Sequence, residues 1–430
     1  MDKPITAVLV GAGNRAEVYA RYALVQPGKL KIVGVVDPDP VRRSIIAERF
    51  SVPRERLFDT VDEFVAQDKF ADAVINGTMD HLHVVTSVPI LEKGYDLLLE
   101  KPFALDEEEM NRLVRVANEN QRKVYICHVL RYTPFYSGIK KHILSGTLGQ
   151  ILSIEICEHV DYHHMAVSYV RGKWRSEELC FAPMLLAKCC HDVDIMMWMM
   201  KETQPVSVVS FGSNMQFTPD RKPADAGTRC MVDCPRSKEC IFSAESNYII
   251  HPRWLQYVWK CIEGDGDQST EHKIQSLKEF NPYGKCVWDF ERHGNVDHQS
   301  VMVQFENGAT GTLTMTGGAA KAERHIHIVG TLGEITGTFQ DSRYVLRKPN
   351  PNIAEGYTET VFDLNIEGDM NGQAGGHGGG DERLIEDFVS VLSGNSPSVS
   401  CTDINDSTIS HRVVFKAEKS RKNKTIESLL

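Results

Sequence analysis

Ile5-Thr6-Ala7-Val8-Leu9-Val10-Gly11-Ala12-Gly13-Asn14-Arg15-Ala16 joins an apolar run to a glycine-rich turn. Its first half, Ile5–Val10, is a short apolar run of the kind a buried strand needs. The second half has the spacing G-x-G-x-x-A, and residues 16–25 behind it read as a helix. In such a strand-turn-helix the first glycine permits the tight turn. The second lets backbone approach a pyrophosphate, and the small Ala16 lets helix and strand pack closely. The helix N-terminus then faces phosphate with its unbonded N–H groups.

Leu30–Val36 is a second strand rich in Val and Ile, and Asp37 ends it, about 25 residues beyond the glycines. An acid there accepts hydrogen bonds from the adenosine ribose and repels a 2′-phosphate, which favours NAD over NADP. Gly11, Gly13, Asn14, Arg15 and Asp37 form the first cofactor-binding set. Arg15 and Arg42 are the residues able to neutralise a 2′-phosphate in the opposite case. Thr60 with Glu63 spells a capping box, residues 73–75 a short strand, and residues 83–93 a helix stopped by Gly94. Asp96–Leu99 is another strand, Asp106 with Glu109 caps the next helix, and residues 123–127 are again a strand. Strand-helix alternation predicts an α/β domain with a doubly wound parallel sheet over residues 1–130.

Beyond residue 130 the texture changes. A helix Pro134–Leu144 ends at Gly146, and strands are expected at 151–160, 206–211, 240–250, 300–305, 310–316 and 325–329. Short turns at Glu306-Asn307-Gly308 and Thr331-Leu332-Gly333 suit antiparallel pairing. Residues 131–430 therefore read as an α+β domain on a large, mostly antiparallel open sheet. Residues 349–380 are polar and glycine-rich, a helix follows at 381–392, and another from about Asp403 closes the chain.

The composition sets limits. At 430 residues the chain supplies two cores, and 42% hydrophobic with 25% charged residues suits a globular protein. A net charge of -10 makes nucleic acid and anionic membrane poor partners. The basic tail 416–424 is broken by Glu418 and Ser420 and reads as a solvated helix face. No run of about 18 apolar residues suggests a membrane span. The start, Met1-Asp2-Lys3-Pro4, lacks a signal-peptide pattern. Eleven cysteines are an odd number; Cys127, Cys157, Cys189 and Cys190 sit in apolar segments as small core or pocket residues. A reducing cytoplasm is the expected compartment. Cys230-x3-Cys234-x5-Cys240 invites a zinc reading with a fourth ligand such as Cys286, but paired C-x-x-C spacing is absent, and reduced cysteines in an ordered loop are the favoured reading, with no metal.

Glu100-Lys101-Pro102 follows a strand's carboxyl end, where ligands bind in open α/β sheets, and a lysine there suits a substrate hydroxyl. The ordered set of G-x-G-x-x-A, strand-end Asp37, Asn76-Gly77-Thr78 with His83, Glu100-Lys101-Pro102 and Arg131-Tyr132-x-Pro134 resembles the glucose-fructose oxidoreductase / inositol dehydrogenase / rhizopine catabolism (Gfo/Idh/MocA) family over nearly the whole chain. The resemblance implies a Rossmann domain, then a sheet domain that walls the substrate and assembles a homodimer or homotetramer. It implies oxidation or reduction of sugars, polyols and related cyclic compounds with NAD(P). It adds Thr78, His83, Glu100, Arg131, Trp174 and Arg175 to the cofactor set and places Lys101 near nicotinamide and substrate.

The family's acid/base histidine matches His191 in Leu186-Ala187-Lys188-Cys189-Cys190-His191-Asp192-Val193-Asp194. Many of the family's dehydrogenases carry Asp four residues before it; this chain has Ala187. Two lysines, Lys101 and Lys188, then surround one hydroxyl with His191 as base. His164, Tyr169 and Arg171 are candidates for the sugar, as is His377 in Gly375-Gly376-His377-Gly378-Gly379-Gly380-Asp381, where glycines permit close approach. Three functions stay open: an NAD-dependent sugar or polyol dehydrogenase; an NAD-dependent glycoside-cleaving enzyme that oxidises, eliminates and re-reduces, whose branch has a loop similar to Gly-Gly-His-Gly-Gly; and a non-catalytic NAD-bound regulatory protein.

Overall fold

In the computed structural model, residues 3–291, 294–366, 370 and 377–430 are described, so Gly375 and Gly376 of the glycine loop lie outside the described residues. The chain divides into two compact units that are discontinuous in sequence. Unit 1 takes residues 1–141, 193–198 and 366–415, and unit 2 takes 142–192, 199–365 and 416–430.

Unit 1 is a six-stranded parallel sheet of β1 (Ile5–Val10), β2 (Leu30–Val36), β3 (Leu57–Phe58), β4 (Ala73–Asn76), β5 (Asp96–Leu99) and β6 (Val124–Ile126). The strand order is β3-β2-β1-β4-β5-β6, the doubly wound order whose direction reverses between β1 and β4. The residues of β1 from Ala7 to Val10 are buried, as continuous apolar runs in two-sided parallel sheets require. The connecting helices start where their caps say. Thr60 accepts from the Glu63 amide while Glu63 accepts from the Asp59 amide, and Asp106 and Glu109 do the same with Leu105. The helix expected at 16–25 is two, α1 (Asn14–Ala20) and α2 (Tyr22–Val25). A further helix, α3 (Pro40–Phe50), starts at Asp39, whose carboxylate accepts from the Val41 and Arg42 amides. The helix Gly380–Leu392 packs on this unit, burying Leu384, Ile385, Phe388 and Val389 in the same core as β1 and α1.

Unit 2 is a nine-stranded sheet of β7 (Ile151–Asp161), β8 (Pro205–Ser213), β9 (His298–Phe305), β10 (Thr310–Ala319), β11 (Glu323–Gly330), β12 (Glu334–Thr338), β13 (Arg343–Pro349), β14 (Tyr357–Asp363) and β15 (Glu427–Ser428). The order is β14-β13-β12-β11-β7-β10-β9-β8-β15. The pair β7 and β10 is parallel and every other pair antiparallel. Burial alternates along β9 and β10, so one face is packed and the other is not.

The strand expected at 240–250 is a correction. Glu245–Ile250 is a wide helical turn with Asn247 and Tyr248 buried, and the Asn247 amide donates to the carbonyls of Ile241 and Ser243. That polar anchor folds the segment back on itself and removes it from the sheet. Three strands, β12 to β14, occupy residues read from sequence as part of a polar, glycine-rich tract or left unassigned. Among the described residues no helix is long and apolar enough to cross a membrane.

Candidate active site: the nucleotide loop and two polar clusters

The reversal point of unit 1 lies between the loops that follow β1 and β4. Gly11 has φ +80°, and an added Cβ would stand 2.8 Å from the Thr78 amide nitrogen and 2.9 Å from the Gly77 carbonyl carbon. Only glycine fits there, for both conformation and space. Gly13 differs. Its φ of −83° and ψ of 174° suit any residue, and a Cβ would meet nothing nearer than the Gly77 carbonyl oxygen at 3.9 Å. The protein's own packing therefore does not demand glycine at 13; the space over the start of α1 is what stays clear. Gly13 is the N-cap of α1 and gives no side-chain cap, so the first amides of the helix face that space, as a bound pyrophosphate needs. Ala16 lies directly under Gly77, where a Cβ would come within 2.9 Å of the Ala16 Cβ, so the small third residue is required by close packing.

Asp37 follows β2 half-buried. Its Oδ2 accepts from the Ala12 amide at 2.6 Å and its Oδ1 from the Asp39 amide at 2.8 Å, which ties the acid to the glycine loop. Arg42 donates to the Ala12 carbonyl, and Arg15 turns toward β5, so both arginines weighed for a 2′-phosphate have partners of their own. These residues fit a dinucleotide with an unphosphorylated ribose.

Thr78 is fixed by Asn76, whose Oδ1 accepts from the Thr78 hydroxyl at 2.8 Å. His83 is buried, with Nδ1 2.6 Å from the Pro102 carbonyl and Nε2 3.1 Å from the Thr78 carbonyl, so it links the loops after β4 and β5 and sits beneath them. Lys101 follows β5, half-buried, and its peptide bond to Pro102 is cis. Its ammonium acts on Glu100, His128 and His411. Burial first, then Arg131 beside His128 and the His128 ring beside His411, pushes both of these histidines well below the ordinary imidazole value.

Glu100 is the centre of the first polar cluster. It accepts from Arg15 Nε at 2.7 Å, the Tyr19 hydroxyl at 2.8 Å and the Lys101 amide at 3.0 Å. Burial alone would raise its pKa, but Arg15 first and Lys101 next bring it below the usual carboxyl range. Arg15 also pairs with Asp381, and Asp381 Oδ2 lies 2.7 Å from His377 Nδ1. Against burial, Arg15 and His377 bring Asp381 down to about 2.

The second cluster lies in unit 2. Lys188 Nζ is 2.9 Å from Glu158 Oε1, Arg324 Nε is 2.7 Å from Glu158 Oε2, and the same Nε donates to Asp192 Oδ1 at 2.9 Å. Glu158 and Arg324 face each other across the β7–β11 pair. Burial first, and the neighbouring Glu158 against the pull of Arg324, raise Asp192 to about 6. His191 stands between Lys188 and Asp192 in sequence, at the start of the helix Cys190–Met199, and is 7% exposed.

The other expected site residues have the following surroundings. Arg131 is 1% exposed and donates from Nε and Nη2 to both oxygens of Asp194 at 2.6 Å and from Nη1 to Asp406 at 2.9 Å, an interior clamp and not a cofactor contact. Arg171 is equally buried and donates to the carbonyls of Lys285 and Phe242 and to the Tyr248 hydroxyl, which removes it from the substrate set. Tyr169 is buried 5.8 Å from the His164 ring, and His164 stacks on Trp254 with centroids 4.0 Å apart. Trp174 packs edge-on against Tyr257 and Arg175 lies over Phe290, both half-buried. Cys230 takes a contact from Arg171, and among the described residues no group of three His, Cys, Asp or Glu gathers to hold a metal ion.

Tyr19, Glu158, Arg324, Asp192 and Asp381 escaped sequence reasoning. Tyr19 and Asp381 each lie four residues from a candidate, Arg15 and His377, a helical spacing that carries the signal. Glu158 and Arg324 meet only through strand register.

Residues 5–128 match the family described as "Oxidoreductase family, NAD-binding Rossmann fold", and residues 140–427 match its "C-terminal alpha/beta domain". Bacillus subtilis (strain 168) has a similar protein bearing the name oxidoreductase YteT, 27% identical over 372 residues, which are 83% of this chain and 82% of that one. An inositol 2-dehydrogenase of Corynebacterium glutamicum (strain R) is 26% identical over 155 residues, 36% of this chain and 45% of that one. The crystal structure of an oxidoreductase from Agrobacterium radiobacter in complex with NAD+, L-tartaric acid and magnesium shares the fold with a TM-score of 0.68 and 14% identity, covering 99% of this chain and 98% of that one. With both family domains matched in order and the glycine loop at the sheet's reversal point, the chain belongs to the Gfo/Idh/MocA oxidoreductase family, and its first unit carries that family's NAD-binding Rossmann domain.

Proposed function

We propose that the protein is an NAD-dependent oxidoreductase that moves hydride between nicotinamide and a secondary hydroxyl of a sugar, polyol or sugar derivative. The observation that carries this reading is the clear space over Gly13 at the sheet's reversal point, with Lys101 at the end of β5, two strands from β1. Gly11, Gly13, the first amides of α1 and Asp37 are the residues that would hold the dinucleotide. When bound, it supplies the carbon centre that takes or gives hydride. Lys101 fixes the substrate oxygen. His191 takes the hydroxyl proton as hydride leaves, and returns it in the opposite direction. Lys188, three residues before His191 and anchored by Glu158, supplies the positive charge of the unit 2 cluster. The inositol dehydrogenase relative supports a cyclic polyol or sugar as the substrate class.

The second reading, redox-neutral glycoside cleavage with retained NAD, is favoured by two observations: Ala187 replaces the family's acid, and His377 is built into an oriented pair with Asp381. Phe211 and Met302 project from the exposed face of the unit 2 sheet, on strands paired directly, which supports assembly of copies through that sheet.

The test is a screen of sugars, polyols and glycosides by absorbance of reduced nicotinamide, with NAD and NADP in parallel. Aryl glycosides are also tried without added cofactor. Lys101→Ala and His191→Ala are each expected to cost about 10²–10⁴ in kcat. Intact activity in both variants would overturn the assignment.

A further inference from the structure

Strands β8 and β9 are paired neighbours, yet residues 214–297 separate them in the chain. This insertion holds five of the eleven cysteines, Cys230, Cys234, Cys240, Cys261 and Cys286, all free thiols. Its described residues form short helical turns and one longer helix, Thr270–Glu279, and no strand. Its apolar cluster is small, with Cys230, Ala244, Tyr248 and Trp254 around Val167. A segment with so little regular structure of its own is the kind that a covalent staple stabilises most.

Arg171 gathers two of the thiols. Its Nη2 donates to the Phe242 carbonyl at 2.8 Å and to Cys230 Sγ at 3.5 Å. The Phe242 amide donates to the Cys240 sulfur, so both sulfurs stand at one peptide residue and one guanidinium. The charges of Cys230 and Cys240 both act on Arg171. Cys286 is placed differently. It is the diagonal neighbour of Cys230 across the Arg229–Lys285 bridge, and a diagonal spacing of about 7–8 Å is longer than a disulfide spans. Burial raises the Cys240 thiol above its ordinary value, and the Phe242 amide and Arg171 oppose it. Cys240 is therefore suited to act second. A guanidinium that donates to sulfur stabilises the negative charge of the attacking form, so Cys230 is suited to act first.

We propose that Cys230 and Cys240 are an oxidation site of unit 2: a peroxide closes them to a disulfide, and the change acts through Arg171 on the segment that carries Tyr169, Trp174 and Arg175. The Cys230 sulfur attacks one peroxide oxygen and the O–O bond breaks. That oxygen stays on sulfur as a sulfenic acid, and the other leaves as hydroxide, which takes the Cys230 proton to become water. The Cys240 sulfur then attacks Cys230 Sγ. The S–O bond breaks, and the oxygen leaves as a second water with the Cys240 proton. The two sulfurs lose two electrons and the peroxide gains them. In the disulfide Cys230 Sγ carries no charge, so Arg171 gives up that contact and keeps the Lys285 and Phe242 carbonyls and the Tyr248 hydroxyl. The proposal does not depend on the oxidoreductase reading above.

The test needs no substrate. The full chain is reduced, freed of reductant, treated with hydrogen peroxide, alkylated and digested with trypsin without reduction. Trypsin cuts after Arg236 and Lys238, so a Cys230–Cys240 disulfide leaves two linked peptides, and fragmentation tells Cys230 from Cys234 within residues 230–236. The expected product is that disulfide in most chains, at a peroxide level that leaves the exposed Cys261 open to alkylation. Cys230→Ser and Cys240→Ser should each abolish it, and Cys234→Ser and Cys286→Ser should keep it. Amide exchange over residues 165–175 should be faster in the oxidised wild type, return with dithiothreitol, and ignore peroxide in Cys230→Ser. The wild-type digest decides by itself, whatever the variants' stability. Cys230 and Cys240 still alkylated after Cys261 has been oxidised overturn the proposal. So does a linkage to Cys234 or Cys286, or a stoichiometric zinc ion in the purified reduced chain. Unchanged exchange over 165–175 in the disulfide form overturns the action through Arg171.

Discussion

Gly11 and Gly13 occupy the same loop and the same sequence pattern, yet the structure predicts opposite consequences for alanine at each. At Gly11 an alanine would sit at φ +80°, which costs about 1–2 kcal/mol in conformation alone. Its Cβ would press on backbone atoms of Gly77 and Thr78 at 2.8–2.9 Å, and backbone pinned between β1 and β4 does not yield cheaply. Together these destabilise unit 1 by roughly 3 kcal/mol. At Gly13 the backbone is already extended and the nearest neighbour is at 3.9 Å. Gly13→Ala gains about 0.4–1 kcal/mol through the narrower unfolded ensemble and loses a similar amount because alanine is a poor N-cap, so it is close to neutral. The methyl group instead fills the space where a pyrophosphate meets the first amides of α1. Losing one or two charge-assisted hydrogen bonds, about 1.5–3 kcal/mol, weakens NAD⁺ by about 10–100-fold. Urea unfolding and calorimetric titration with NAD⁺ measure the two quantities separately. Gly13→Ala with wild-type affinity would show that no pyrophosphate approaches this backbone. Gly13→Ala as unstable as Gly11→Ala would show that the clearance argument is wrong.

Asp192 has a folded pKa of about 6, above its unfolded value of 3.8, so it stabilises the fold fully below pH 4 and that contribution is lost as pH rises through 6. From pH 4 to 7 the wild type should lose on the order of 1–3 kcal/mol relative to Asp192→Asn in urea unfolding; a difference that does not vary with pH refutes the shift. Arg131→Met leaves Asp194 buried without its partner and should cost about 3–5 kcal/mol, and the added Asp194→Asn should recover part of that loss; an additive double variant refutes the clamp.

What was legible in the sequence was local. The loop after β1, the caps at Thr60 and Asp106, and the turn at Glu306-Asn307-Gly308 each state their conformation within a few residues, and the structure follows them. What was illegible depends on partners far along the chain or on an absence of pattern. In β14 nearly every residue is exposed, so no alternation marks it as a strand; its evidence is pairing with β13. Residues 240–250 are rich in Ile, Phe and Tyr, which favour strands, and the carbonyls that Asn247 reaches decide otherwise. Arg131 looked like a ligand residue because its partners, Asp194 and Asp406, stand 63 and 275 residues away.

The same distinction separates the arginines and lysines that serve the fold from those left for chemistry. Arg131 and Arg171 face carboxylates, carbonyls and a hydroxyl in fixed interior positions, and a guanidinium satisfied in that way has nothing to offer a ligand that comes and goes. Lys188 is the contrasting case. Its carboxylate partner, Glu158, is shared with Arg324, and Arg324 is shared again with an Asp192 that burial drives toward neutrality. Negative charge in that quartet is thus divided between two cations. A lysine whose counter-charge is divided retains attraction for an incoming oxygen that carries developing negative charge, which is what hydride removal from a carbinol produces. The loss of the acid at Ala187 is then consistent with the surrounding charge: an aspartate at that position would supply Lys188 with a second carboxylate and weaken the attraction on which its proposed role depends.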